Sequence, residues 1–297
     1  MSHLGKDAGA SGRGGSRPIV QNRGPKSLGP PALSALAKWN TVVADVLRNF
    51  DSEDLLGTLI DALSYRTRFD SWLVAIFHAD AQPTLIDYKE SKDKEDQYAT
   101  GPYLLDPYYN IFLSRQSSGC YLLRDIAPDH FTKSEFFRSY YSRIGLSDEI
   151  GYILWKDKLT AAHVSIGRAR GSPRFLRTDL AWFRAAQPIV DAVTQRLWQR
   201  SEKTILTTAR QRSEFHSYLR DAFRNFGLSA LTPREQEITK LLLKGFSAKS
   251  IARILGISPG TVRNHMKQVY SKLEVNSQVE LFGLFFETLG EASKKEG

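Results

Sequence analysis

With Cys120 as its single cysteine among 297 residues, the chain cannot form an internal disulfide, and a reducing compartment is expected. The plain reading of that residue is a small buried hydrophobe, the alternative a redox switch. No apolar run approaches the roughly 20 residues that a helix needs to cross a bilayer, and the first residues lack the apolar core of a signal peptide, so a cytoplasmic protein without membrane association is expected. Also lacking are a Gly-rich phosphate loop, metal-ligand spacing of His and Cys, and a nucleophile elbow. The repeated βα units and acidic cluster of a phosphoryl-accepting receiver domain are missing too. His78, His130 and His163 are scattered without a spaced carboxylate partner. Catalysis is therefore not expected, nor is any cofactor or metal.

What is present suffices for two domains with real cores: 41% of the residues are apolar. The net charge of +9 is uneven. Residues 1–34 carry five Lys and Arg against one acid, residues 35–228 carry 26 against 24, and residues 229–297 carry ten against seven. The two ends hold the excess that would face a polyanion. Residues 1–34, rich in Gly, Ser, Pro and Arg without an apolar period, read as a disordered basic tail. It could add non-specific phosphate contacts or be an unselected terminus.

The stretch with the sharpest local signals runs from Leu231 to Phe286. Thr232-Pro233-Arg234-Glu235 supplies a capping hydroxyl, a proline for the first helical position and a Glu three residues after the cap. Ile238, Leu241 and Leu242 then make one apolar stripe, and Gly245 can end the helix. Ser247 caps a second helix carrying Ile251, Ala252, Ile254 and Leu255, closed by Gly256, and Ser258-Pro259 opens a third. Two short helices across a tight turn, the second freshly capped, are what a helix-turn-helix needs to seat a helix in the major groove. On the third helix, Val262, Met266, Val269, Tyr270 and Leu273 share one face, while Arg263, Asn264, Lys267, Gln268 and Ser271 share the other. Arg suits the guanine edge and Asn the adenine edge, whereas hydroxyls and helix-start N–H groups suit phosphates. The bland alternative is a helical docking bundle with a solvated basic face.

These residues resemble the DNA-binding domain of the LuxR/GerE family of bacterial transcription regulators. The matching string is Leu231-Thr232-Pro233-Arg234-Glu235, Ile251-Ala252, Leu255-Gly256-Ile257-Ser258, Thr261-Val262, His265, and Lys272-Leu273 with Val275. The resemblance implies a four-helix DNA-binding domain over residues 229–290. Arg263, Asn264 and Lys267 would contact bases, and Ser247, Lys249, Thr261 and Lys272 would contact the backbone of double-stranded DNA. One such recognition helix makes too few base contacts for useful selectivity, so a homodimer is expected, with RNA polymerase as a further candidate partner. Ser250 and Gln278 depart from the family pattern, which often has Glu and Arg there, so the local ion pair of that pattern is not expected. A second capping box, Ser277 to Glu280, still marks the fourth helix.

Ahead of this, Trp39, Val42, Val43, Val46, Leu47 and Phe50 make one helical stripe, and Ser52-Glu53-Asp54 opens a helix carrying Leu55, Leu56, Leu59, Ile60 and Leu63. Ser71 to His78 reads as a central strand with Leu85 to Tyr88 as its hairpin partner. A charged segment, Lys89 to Asp96, and a tyrosine-rich loop, Tyr98 to Tyr109, follow. Cys120 to Leu123 reads as a strand, Ser134 to Ile144 as an aromatic helix, and Glu149 to Trp155 and Leu159 to Ile166 as an antiparallel pair. Arg177 to Arg200 reads as a long helix. The order predicts an α+β fold over residues 35–200, an antiparallel sheet with helices on one face. It looks like a GAF/PAS-type sensor, placed where the LuxR/GerE family commonly carries a ligand-binding domain. Residues 201–228, with the narrow stripe Phe215, Tyr218, Leu219 and Phe223, read as a helical linker, either a dimer seam or a plain tether.

Phenol rings gather in Tyr103 to Tyr109 and in the helix bearing Phe136, Phe137, Tyr140 and Tyr141, while Trp72, Glu149, Trp155 and His163 lie on strands. Rings enclosing a ligand that a carboxylate orients are the usual makings of a small-molecule pocket. Trp72, Tyr103, Asp106, Tyr108, Tyr140, Glu149 and Trp155 are the candidate residues. The plainer reading is that the rings are core and their hydroxyls reach backbone carbonyls. Lactone receptors of the family also carry an Asp-Pro, as Asp106-Pro107 does here. Their Trp and Tyr on the preceding helix have no counterpart in the polar Ser91 to Gln97, and Tyr121 stands where a further pocket Trp would be expected. A non-lactone metabolite, such as an aromatic or an amine, is therefore the expected effector. An acyl-homoserine lactone, or gating by a protein partner without any small ligand, remains as an alternative.

Overall fold

The structure, a computed structural model, describes residues 29–89, 98–99, 101–134, 136–211 and 213–293. Most of the expected basic tail and the polar run Ser91 to Gln97 lie outside them. The described residues divide into two units between Thr41 and Val42. Helix α1 spans Pro30–Arg48, so helix begins inside the stretch read as tail, at a proline suited to a first turn.

Within the second unit, α2 (Leu55–Ser64) precedes a five-stranded antiparallel sheet of order β2-β1-β5-β4-β3. The strands are β1 (Ser71–His78), β2 (Thr84–Tyr88), β3 (Gly119–Leu122), β4 (Leu146–Trp155) and β5 (Thr160–Ala169). Cross-strand partners share a face. The register Ala75↔His163 and Ile153↔His163 therefore places Ser71, Leu73, Phe77, His163, Ser165, Glu149, Gly151 and Ile153 on one side. Val74, Ile76, Val164, Ile166, Ile150 and Tyr152 lie on the other. Every one of these strand centres is buried or half-buried, because both faces are covered.

On the second face lies α5, Arg177–Gln211, with Phe183, Val190 and Val193 fully buried and the Phe183 carbonyl accepting from the Tyr152 hydroxyl at 2.7 Å. The first face is covered by the tyrosine-rich segment. It folds as a 3-10 turn (Pro102–Leu105) followed by α3 (Pro107–Leu113), with a π-helical segment, Phe136–Tyr141, beyond. Helices thus cover both faces, not one as the element order suggested. The segment read as a loop has the signals of a helix start: Asp106 accepts from the Tyr108 N–H at 2.8 Å, and Pro107 fills the first position. α5 runs on past Arg200 as one helix to Gln211.

α6 (Ser213–Asn225) then packs on the C-terminal helices: Phe223 and Phe226 meet Phe285 edge-on at 5.5 and 5.3 Å. This excludes a free tether at its C-terminal end; the Phe215 side chain is outside the described ones. The remaining helices are α7 (Pro233–Leu243), α8 (Ala248–Leu255), α9 (Pro259–Lys272) and α10 (Gln278–Ser293).

Candidate functional sites: a helix-turn-helix face and an aromatic cavity

Each helix of the C-terminal bundle starts where a side chain satisfies its first N–H groups. Thr232 and Glu235 form a reciprocal capping box, with the Thr232 N–H on Glu235 at 2.8 Å. Ser247 and Ser258 accept from Ser250 N–H at 3.2 Å and Thr261 N–H at 3.0 Å. Gly256 closes α8 in the left-handed conformation, φ 65°, which turns the chain directly into α9. Ile238, Leu242, Ile251, Val262, Val269 and Leu281 are sealed in one core. α9 is thereby clamped by its apolar side, and Arg263, Asn264, Lys267, Gln268 and Ser271 are all exposed.

The candidate backbone contacts are placed differently from one another. Lys249 and Thr261 are exposed, the Thr261 hydroxyl 2.8 Å from that of Ser258. Lys272 gives its ammonium to both oxygens of Glu235, at 3.0 and 2.7 Å. That ammonium and the Thr232 N–H hold the Glu235 carboxyl down at about 2, so the cap stays charged through any physiological pH. Ser247 is engaged by Asp129 from the α+β half of the chain, through both its N–H and its hydroxyl. Gln278, where an Arg was anticipated, donates instead to the Leu242 carbonyl at 2.7 Å and caps α7.

On the first face of the sheet a cavity with about 30 Å³ of free space opens between the strands and the π-helical segment. Of the seven candidate ligand residues, Asp106, Tyr140 and Glu149 line it; Trp72 borders it in the chain, but its pairing with Ile166 turns the indole to the other face, where it donates to Asp87 at 3.1 Å. The other three stand away from it. Trp155 is six residues along β4 from Glu149, about 20 Å at strand rise, where it stacks on Phe112 and donates to the Gln116 carbonyl. The Tyr103 ring packs edge-on against Tyr109. Tyr108 lies flat over Gly151, its hydroxyl 3.3 Å from the Tyr121 and Glu149 carbonyls. Tyr98, Phe136, Tyr141 and His163 also line it, with Ser71, Ser165 and the apolar Leu73, Ile144 and Leu146. The two serines were passed over, although strand parity puts them on the Glu149 face.

The polar groups of the cavity are organised. Ser165 donates to Glu149 at 2.5 Å, and the Tyr98 hydroxyl donates to Asp106 at 2.5 Å. Burial raises the Asp106 carboxyl to about 6, against the opposing pull of Tyr98 and the α3 N–H groups. Burial likewise lowers His163 to about 4, so the imidazole stacked on Phe77 is neutral.

The Asp106 shift sets a pH dependence. A carboxyl whose folded-state value lies above its ordinary 3.8 contributes stability that is complete below about pH 4 and lost as pH rises through about 6, here about 2–3 kcal/mol. Because the buried His163 and His78, both lowered to about 4, gain stability over the same range, the Asp106 contribution is read as a difference: the urea stability of the native chain relative to Asp106→Asn, which keeps an N-cap side chain, should fall by this amount between pH 4 and pH 7. Parallel pH profiles for the two proteins would refute it.

The comparisons with known proteins address both halves. The family "Bacterial regulatory proteins, luxR family" matches residues 229–285. The HTH-type transcriptional regulator described from the exeN 3' region of Aeromonas salmonicida is 30% identical over 187 residues, which is 62% of this chain and 94% of that one. The nitrate/nitrite response regulator NarL of Escherichia coli is 43% identical over 53 residues, 18% of this chain and 24% of its own length. Among solved structures, the VqsR LBD domain from Pseudomonas aeruginosa is similar at 25% identity, covering 54% of this chain and 94% of that one with a TM-score of 0.48. Escherichia coli SdiA is similar at 17% identity, 86% and 98% coverage and a TM-score of 0.38. With a relative matched over nearly its whole length, this chain belongs to the LuxR family of bacterial regulatory proteins. It is a DNA-binding transcription regulator with a helix-turn-helix at its C-terminal end and an antiparallel α+β fold ahead of it.

Proposed function

We propose that residues 35–200 sense a small non-lactone molecule in the cytoplasm and, through the linker at 201–228, set the spacing of two recognition helices in a homodimer. The α9 face carries the reading at the DNA end: Arg263, Asn264 and Lys267 project together into solvent from a helix whose other side is locked in the core. One such helix makes too few base contacts for useful selectivity, and a two-fold pair doubles them at half-sites about one helical turn apart. In this reading the protein turns over nothing, and a contact with RNA polymerase follows once it sits on DNA.

At the other end, buried Asp106 and Glu149 among Tyr98, Phe136 and Tyr140 offer acceptors to a ligand with N–H or O–H donors and an aromatic or aliphatic body. Thermal unfolding against a panel of aromatic acids, amines and acyl-homoserine lactones tests this. A ligand that prefers the folded state raises the midpoint with concentration, and the rise should vanish in Glu149→Gln or Asp106→Asn. A flat response across the panel, lactones included, would overturn the small-molecule reading. One observation favours a second reading: about 30 Å³ holds no more than one or two waters. A ligand must displace lining side chains to fit, whereas control by a protein partner needs no such opening.

A further inference from the structure

Between α4 (Leu123–Ile126), which follows β3, and the π-helical segment, the chain passes through Pro128, Asp129 and a 3-10 turn, Phe131–Lys133. This passage lies against the turn between α7 and α8 of the helix-turn-helix. Gly245 there is buried, its φ of 93° already in the left-handed region, and a Cβ on it would stand 2.7 Å from the Ser134 Cβ and 3.2 Å from the Pro128 ring. Two residues on, the Asp129 carboxylate accepts from the Ser247 N–H at 2.9 Å with one oxygen and from the Ser247 hydroxyl with the other. Those two donors, a free backbone N–H and a capping hydroxyl at the start of a helix, are what a DNA phosphate oxygen would take.

We propose that Asp129 stands in for a DNA phosphate, so that the passage 128–134 holds the helix-turn-helix in an autoinhibited state that must part from Ser247 before the duplex can seat. The inference rests on the reading of Ser247 as a backbone contact. A carboxylate at that position both occupies the donors and repels the strand. The passage is also joined to the cavity: Phe131 packs on Phe136 and Tyr141 at 6.2 and 5.3 Å, and both rings line the cavity. Ser134, which backs Gly245, accepts from the Phe137 N–H at 3.2 Å and so anchors the start of the π-helical segment. A ligand that spreads those rings would draw Asp129 with them, two packed states biased at both ends.

The test uses the full chain and a labelled duplex that it has selected from a random pool, measured without added effector. Asp129→Ala should bind about five- to tenfold more tightly, and the slope of log affinity against log salt should steepen by about one as a further phosphate is engaged. Hydrogen exchange at the Ser247 amide should accelerate in free Asp129→Ala, which shows that the contact has been removed. Should that variant melt early, Asp129→Asn, which keeps the shape and loses the charge, should tighten binding in the same direction. Faster exchange at Ser247 with affinity unchanged or weaker would overturn the autoinhibition. Ser247→Ala in the Asp129→Ala background should give back most of the gain. If it gives back none, the assignment of Ser247 as a phosphate contact fails, and the inference falls with it.

Discussion

Replacing Arg263 and Asn264 together by Ala is expected to weaken binding to a selected duplex by about a hundredfold or more while leaving the unfolding midpoint where it was. The magnitude follows from base readout, where each well-placed pair discriminates by about 1–3 kcal/mol and the proposed dimer would make the contact twice. Stability should hold because both side chains are exposed and no partner in the core depends on them; substitutions of that kind stay within about 0.5 kcal/mol. Lys267→Ala should behave differently if its ammonium lies nearer the strand than the bases, lowering affinity for all sequences alike with a shallower salt dependence. Competition titrations with selected and scrambled duplexes separate the two. A double variant that still prefers the selected sequence would show that α9 does not read it.

The second large effect is on folding. Gly151 sits in the middle of β4 beneath Tyr108, and a Cβ there would come within 2.5 Å of Cε1, 2.8 Å of Cζ and 2.9 Å of Cδ1 of that ring. The ring cannot retreat: it is 1% exposed, lies 4.9 Å from His163, and its hydroxyl faces two carbonyls. Gly151→Ala should therefore destabilise the α+β half by about 3 kcal/mol, the upper range for overpacking. Tyr108→Ala alone should cost about 3–5 kcal/mol through the space that it leaves. Combined, the two should cost clearly less than their sum, because the added methyl enters the vacated volume. Strict additivity in chemical denaturation would contradict the clash.

The C-terminal quarter was legible almost residue by residue, and the reason is local. Thr232, Ser247 and Ser258 announce three helix starts within the span of their own hydrogen bonds, and Gly256 announces a stop. The sorting of α9 into Val262 and Val269 against Arg263, Asn264 and Lys267 then follows from a period of 3.6. The α+β half was legible in its strands, whose apolar runs and antiparallel pairing emerged in the expected order. Its second helical layer was not. Tyr98 to Tyr109 carries rings without a clear period, and only Asp106-Pro107, a helix start read as a pocket element, marked the fold of that segment.

The cavity was half legible for a similar reason. Composition pointed to Glu149 and Tyr140, but which residues meet depends on distance along strands and on register. Trp155 has the right parity and the wrong end of β4, and Ser71 and Ser165 have the right place with nothing in their type to announce it. The Asp129–Ser247 contact joins residues 118 apart in the chain, and no local pattern encodes such a pair.

The claim beneath all of this is that the outward face of α9 reads base sequence for a two-fold assembly. Selection of duplexes from a random pool by the full chain, followed by sequencing, measures it most directly. The account predicts enrichment of an inverted repeat whose half-sites lie about one helical turn apart, and loss of that enrichment when Arg263, Asn264 and Lys267 are all Ala. A pool that stays random, or a motif that the triple variant selects equally well, would contradict it.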